Sequence, residues 1–411
     1  MNEQDVQIGL EIADHEIRLV VGQFFNTRLN IMKVERVLSS GIHNAQIIDQ
    51  MAVIQKITAA VKHVEENLGL SIERVILSLP SIGLSRYVRR INVPIEEKVT
   101  IKDIKAVYKE ALNTDLPEHQ ALVNLAITKS LVNGITMRKL PLNESCDSLT
   151  VDVDLLCADK EMVYRYVQTV EKAGLQVSEI SLDSFALGKE ASLFEKSLEQ
   201  HLVAIKAERQ STSLSLFAKG KLVSTEMINL GSKQIISAMV NRFNLPIEVA
   251  DRLLHMNARF GLDHYPNTPI YLWSNEGKTH TLSEQELMSV VQPILNVWLE
   301  EIKTTIKPIL DTSNVKIVLF GESGEINGFD QLLARECACE CELYIPETLG
   351  VRSSALASVL GLFYVVKDQS SVREFLPGVD MGVFNQMLVK EKETVNEDTI
   401  SGKFKGLFER R

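Results

Sequence analysis

Apolar runs of strand length open the chain. Residues 7–12 and 17–24 are two such runs, separated by the polar tetrad Ala13-Asp14-His15-Glu16, and a third follows at 29–37. This spacing predicts hairpins in succession. The apolar positions then take helical spacing over 48–68, at Met51, Ile54, Ile57, Val61 and Val64, and a short strand is expected at 74–79. From about residue 84 a different unit intervenes. Its first strand, 85–93, carries Arg86, Arg89 and Arg90, and Thr100 is placed to cap a helix over 101–112. Strands within 121–132 and 148–158, a helix at 160–173 and a strand at 177–181 bring the chain back to the first layer. The opening pattern then repeats, with strands at 202–206, 213–217 and 221–229. Helices are expected at 232–242, 247–257 and 284–310, the last bent at Pro293. The apolar strand 315–320 runs into Gly321-Glu322-Ser323-Gly324, and a helix at 353–366 closes the fold. Two similar βββα halves, the first interrupted by an insertion, predict a bilobed α/β architecture.

The pattern breaks down near the C-terminus. Residues 386–399 hold Lys390, Glu391, Lys392, Glu393, Glu397 and Asp398 and read as a polar tether. Beyond it, Phe404, Leu407 and Phe408 share one stripe of a helix flanked by Lys403, Lys405, Arg410 and Arg411. Aromatic anchors beside cations suit a short helix lying in an anionic membrane surface. It is too short and too charged to span a bilayer. A frayed terminal helix docked on its own domain is the plainer alternative.

Composition narrows the class. The chain has 411 residues, 45% of them hydrophobic, which is ordinary globular usage. A formal charge of -10 argues against a nucleic-acid partner. The acidic start, Met1-Asn2-Glu3-Gln4-Asp5, precedes no long apolar run, so the expectation is a cytosolic, at most peripheral, protein without a signal peptide. Cys337, Cys339 and Cys341 lack the paired spacing of a metal site. They are expected, like Cys146 and Cys157, to be reduced structural thiols, with the triplet at a helix-to-strand junction. No metal site is expected. His15, His201, His255 and His264 show no catalytic spacing and read as ordinary polar or capping residues.

The order of elements, with particular residues, resembles the FtsA family of bacterial division proteins, which are actin-like and tether the tubulin-like FtsZ to the cytoplasmic membrane. Ile8-Gly9-Leu10-Glu11-Ile12 is similar to the family's first phosphate strand, and Val93-Pro94 with Val99-Thr100-Ile101-Lys102-Asp103-Ile104 to the start of its inserted 1C subdomain. Phe217-Ala218-Lys219-Gly220 resembles the hairpin after the second phosphate strand. Ile317-Val318-Leu319-Phe320-Gly321 resembles the adenosine strand, and the tail resembles the membrane helix. The resemblance implies the actin/Hsp70/sugar kinase superfold, with an SHS2-type 1C insertion in place of actin 1B. It divides the chain into 1A (1–83, 163–198 and 352–380), 1C (84–162), 2A (199–231 and 311–351) and 2B (232–310). A linker (381–400) and an amphipathic membrane helix (401–411) follow. The implied partners are the FtsZ C-terminal tail, an anionic membrane surface, division proteins on 1C and further copies of the chain. The implied location is the division site on the cytoplasmic face of the membrane.

The departures from the family pattern carry chemical content. In the first loop a glycine and a hydroxyl are replaced by Ala13 and Asp14, and like charges would repel a phosphate from Asp14. The second loop, Lys206-Ala207-Glu208-Arg209-Gln210-Ser211-Thr212, has lysine at the aspartate position, Glu208 within the lost glycine run, and keeps only the hydroxyls of Ser211 and Thr212. In the adenosine motif a glycine pair has become Gly321-Glu322. The ATP and Mg²⁺ that the family implies are therefore not expected here, nor is ATPase activity. Glu11 and Lys206 would face each other and could pair. Candidates for the FtsZ tail are Arg259, Lys278, Trp298 and Lys303, with Trp298 equally readable as helix core. Arg86, Arg89 and Arg90 serve either partner contacts on 1C or protection of an edge strand. Alternative functions are a PilM-like pilus-assembly protein and an active ATP-binding, actin-like polymer.

Overall fold

Each half of the chain begins with a three-stranded antiparallel meander and extends it by parallel strands delivered through helices. A computed structural model describes residues 6–137, 140–275 and 278–373. The first meander is β1 (Val6–Ile12), β2 (Glu16–Phe25) and β3 (Arg28–Leu38). A small hairpin, β4 (Ile42–His43) and β5 (Gln46–Ile47), leads to α1 (Gln50–Leu68) and to β6 (Arg74–Leu79), which lies parallel to β1. The Asp49 carboxylate accepts the Ala52 N–H to start α1, and left-handed Gly69 ends it. Its buried stripe is Val53, Ile57, Ala60 and Val64. Met51, expected inside, is 63% exposed, because the cap at Asp49 puts it on the opposite side of the first turn.

The insertion comprises β7 (Ser85–Pro94), α2 (Ile101–Leu112), β8 (Gln120–Val132), β9 (Ile135–Met137) and β10 (Ser148–Asp159). Its sheet runs β7-β10-β8-β9 and has its own core, including Ile91, Ile104, Val107, Val151 and Val153. Arg86 and Arg90 are bound to Asp154 and Asp152 of the neighbouring strand. The chain returns through α3 (Lys160–Lys172) to β11 (Gln176–Leu182), followed by α4 (Asp183–Glu190) and the short α5 (Leu193–Lys196).

The second half comprises β12 (His201–Ala207), β13 (Thr212–Ala218), β14 (Lys221–Ile228), α6 (Ser232–Phe243), α7 (Ile247–Asn257), β15 (Pro269–Asn275), β16 (Lys278–Ser283), α8 (Glu284–Leu310), β17 (Val315–Phe320), α9 (Phe329–Cys337), β18 (Glu340–Leu343) and α10 (Ala357–Arg373). Its sheet order, β14-β13-β12-β17-β18, reproduces β3-β2-β1-β6-β11 of the first. The β15–β16 hairpin was not anticipated: β15 carries the short apolar run Ile270-Tyr271-Leu272-Trp273, but its partner β16, Lys278-Thr279-His280-Thr281-Leu282-Ser283, is mostly polar. Its order comes from a stack of the Tyr271, Trp273 and His280 rings. α8 is one helix of 27 residues and continues through Pro293. Cys337 closes α9 and Cys341 lies in β18, both as free thiols at the helix-to-strand junction. Burial pushes the Cys337 thiol up to about 11.

Helices α4 and α10 pack against each other in a core that joins the first sheet to Leu202, Phe217 and Phe320 of the second. They approach closely because position 361 is glycine: a Cβ there would collide with the Ala186 carbonyl oxygen. Gly361→Ala is expected to force the helices apart and cost about 1–3 kcal/mol by overpacking. Urea unfolding of the variant beside the parent chain checks this.

Candidate functional site

The tight turn between β1 and β2 concentrates charge at the cleft between the sheets. Its Ala13 N–H donates to the Glu16 carbonyl, 2.9 Å away. Antiparallel register sets Glu11 opposite Arg18, and strand alternation puts Glu16 and Arg18 on one face. Arg18 is 0% exposed. Its guanidinium reaches Glu16 (2.5 Å), Glu11 (3.2 Å) and the Ala355 carbonyl (2.7 Å). It also binds Glu208 of the second half in a bidentate pair (2.9 and 2.6 Å). Burial disfavours the guanidinium's charge, yet three carboxylates hold its pKa well above the ordinary arginine value.

Other pairs cross the cleft beside it. Lys206 Nζ lies 2.5 Å from Glu11 Oε1 and 3.2 Å from Asp183 Oδ2, the latter at the start of α4. Despite its burial, Lys206 is held charged by Glu11 and Asp183, and its pKa is raised. Asp14 Oδ2 accepts the backbone N–H groups of Gln210 (2.6 Å) and Ser211 (3.1 Å), while the Gln210 side-chain amide donates to the Asp14 carbonyl. Burial alone would raise the Asp14 carboxyl, but His15 and the Gln210 N–H hold it below the usual range. His15 bridges Asp14 (2.6 Å) and Glu322 (2.8 Å), and Arg36 reaches Glu322 at 3.1 Å. Burial opposes the imidazolium, and the two carboxylates outweigh it, raising the pKa to about 10. His15 is therefore a charged member of the cleft, not the ordinary polar residue expected.

The remaining expected residues divide. Ser211 faces the cleft with Asp14. Thr212 turns away: its hydroxyl donates to the Leu230 carbonyl and accepts the Trp298 indole N–H. Trp298 is 1% exposed in the core between α8 and α9, which removes it from the candidates for a peptide contact. Arg259 forms a bidentate pair with Glu284, Lys303 pairs with Glu336 and Glu300, and Lys278 opens β16. Gly321 takes a left-handed conformation (φ 90°), and a Cβ there would collide with the Ala207 carbonyl oxygen, so this glycine serves close backbone packing. Ala13 is buried in the turn. Arg18, Glu16, Arg36 and Asp183 were not singled out from sequence. The available signal was a lone arginine inside the apolar run Ile17–Val21, opposite an equally lone glutamate at position 11.

The charged groups that line the cavity at this network are already paired with one another. The cavity left among Glu11, Asp14, Asp183, Lys206 and Glu208 measures about 70 Å³, whereas ligand sites for small molecules run to roughly 300–1,000 Å³. The loop amides already hold Asp14, and an ammonium already lies between the two carboxylates that could hold a cation.

Comparison with known proteins bears on the whole chain. No protein-family model matches it. It is 24% identical over 374 residues to the cell division protein FtsA of Bacillus subtilis (strain 168), covering 88% of this chain and 83% of that protein. It is 22% identical over 413 aligned positions to FtsA of Enterococcus hirae, covering 98% and 91%. The FtsA of Streptococcus pneumoniae serotype 2 (strain D39) is 23% identical over 367 residues, covering 86% and 78%. The chain is a divergent relative of the FtsA proteins. Solved structures place this FtsA-like chain in the actin-like fold. A PilM–PilN type IV pilus biogenesis complex matches with a TM-score of 0.57 at 16% identity, covering 88% of this chain and 98% of that one. MreB5 of Spiroplasma citri bound to AMPPNP matches with a TM-score of 0.52 at 11% identity, covering 91% and 99%.

Two tests address the network. Arg18→Met strands Glu208 and takes one partner each from Glu11 and Glu16, which keep Lys206 and Arg36, and is expected to cost about 3–5 kcal/mol. Arg90→Met, which breaks a pair whose arginine side chain is 68% exposed and screened by solvent, should cost far less. Chemical denaturation of both variants makes the comparison. The raised His15 value also sets a pH dependence. Its contribution is complete below the unfolded histidine pKa of 6.5 and is lost as pH rises toward about 10. The Tm of the parent should fall across that window, and His15→Gln should flatten the fall.

Proposed function

We propose that this chain is a cell-division adaptor whose actin-like body tethers FtsZ polymers to the cytoplasmic face of the membrane at the division site. Its interlobe cleft works without ATP or Mg²⁺, and the chain has no ATPase activity. The observation that carries the reading is similarity to FtsA proteins along nearly the whole chain, together with an actin-like fold bearing the inserted sheet. The division into 1A, 1C, 2A and 2B belongs to the same reading. Among the described residues no helix is long and apolar enough to cross a membrane. Attachment is assigned to residues 401–411, which, with the linker, lie outside the described residues. Phe404, Leu407 and Phe408 would enter the lipid interface, and Lys403, Lys405, Arg410 and Arg411 would meet anionic headgroups.

The FtsZ tail would dock on the 2B segment by a rewired contact, since Trp298 is core and Arg259 and Lys303 already serve acidic partners. Further division proteins, or other copies of the chain, would meet 1C. A pilus-assembly role shares only the fold, and an ATP-driven polymer would need a cleft with room for the nucleotide.

Flotation of the full chain with phosphatidylglycerol vesicles and FtsZ filaments tests the adaptor. The parent should float and carry FtsZ with it, whereas a Phe404→Glu, Phe408→Glu variant should leave both proteins in the soluble fraction. A parent that floats without FtsZ, or a double variant that floats equally well, would sink the assignment. Calorimetry of the parent with Mg-ATP tests the cleft separately, and micromolar binding would overturn nucleotide independence.

A further inference from the structure

We propose that Asp14 and Lys206 are internal surrogates for an oxyanion and a divalent cation, filling from within the chain two ligand subsites that the cleft still builds. The inference rests on the reading that the cleft takes no nucleotide. The first subsite is made by the loop between β12 and β13. Two consecutive N–H groups, of Gln210 and Ser211, converge on one acceptor at 2.6 and 3.1 Å, with the Ser211 hydroxyl at 3.4 Å. Successive backbone amides aimed at one point form a concavity for an oxyanion. The acceptor is a carboxylate oxygen from the other lobe, which has the charge and hydrogen-bonding capacity of a phosphate oxygen.

The second subsite is made by two carboxylates from different elements. Glu11 Oε1 on β1 and Asp183 Oδ2 at the start of α4 converge on Lys206 Nζ at 2.5 and 3.2 Å. Hard divalent ions choose the same oxygen ligands, and the lysine ammonium is a compact point charge that fills such a place. The other oxygen of Asp183 is committed to Ser81 and Ser184, and the second oxygen of Glu11 to Arg18, so each carboxylate offers one oxygen to the cation. Both surrogates line the same cavity of about 70 Å³, and each joins the two halves of the chain. The cleft thus carries a bound anion and a bound cation as covalent parts of itself.

If the subsites are real, removing a surrogate should create a requirement for the ion it replaces. In the full chain, Asp14→Ser should gain stabilisation by inorganic phosphate, a Tm rise of about 3 °C at roughly 100 times the phosphate Kd. Chloride at equal ionic strength should have no effect. Lys206→Met should lose stability and recover a similar increment with Mg²⁺ or Mn²⁺. The parent should respond to neither ion. Asp14→Gly and Lys206→Ala provide the same readouts where a first variant folds poorly. Folded variants that show no ion-specific recovery, or a parent that responds equally, would overturn the surrogate assignment. Mg-ATP binding by the parent would instead overturn the nucleotide-independent reading beneath it, so the two failures are distinguishable.

Discussion

The centre of the molecule depends on keeping a fully buried arginine charged. Arg18 has no access to water, and an isolated guanidinium in that position would be prohibitively costly. Its coordination by Glu11, Glu16, Glu208 and the Ala355 carbonyl offsets that cost only if all four stay in place. Two of these partners come from the same meander, one from the second sheet and one from the approach to α10. The requirement therefore ties the two halves of the chain to each other through one side chain.

Such a network is a weak source of net stability, since desolvation consumes most of the Coulomb attraction. Its value lies in specificity. The apolar core running between the sheets through α4 and α10 supplies the bulk of the burial but is tolerant of small shifts. Directional pairs such as His15 to Glu322 and Lys206 to Asp183 are not. Fixed charges on both sides of the cleft favour the single closure seen here. That would suit the adaptor role proposed above.

Much of this was legible in the chain. The repeated meanders follow from apolar runs of strand length broken by short polar turns, and the loss of glycine from the cleft loops is visible residue by residue once the family resemblance is drawn. The opposition of Glu11 and Lys206 followed from the family resemblance, which sets the two phosphate strands face to face across the cleft. Arg18 was hidden because, inside an apolar run, it reads as an ordinary strand residue at a sheet edge. His15 was hidden because its environment is built by Glu322, more than three hundred positions away. Trp298 shows the converse: helical spacing put it in an amphipathic helix but left open which side of α8 faced inward until Phe329 and Thr212 packed against it.

The sequence by itself determined the class of fold and the order of its elements, because these depend on periodicity and residue type within short windows; that the cleft loops depart from a glycine-rich pattern came from the resemblance to a family. Only the tertiary structure decided what the cleft residues pair with. Ion pairing at a buried site depends on the distance between atoms far apart in the chain and on the water excluded around them, and neither quantity is encoded locally.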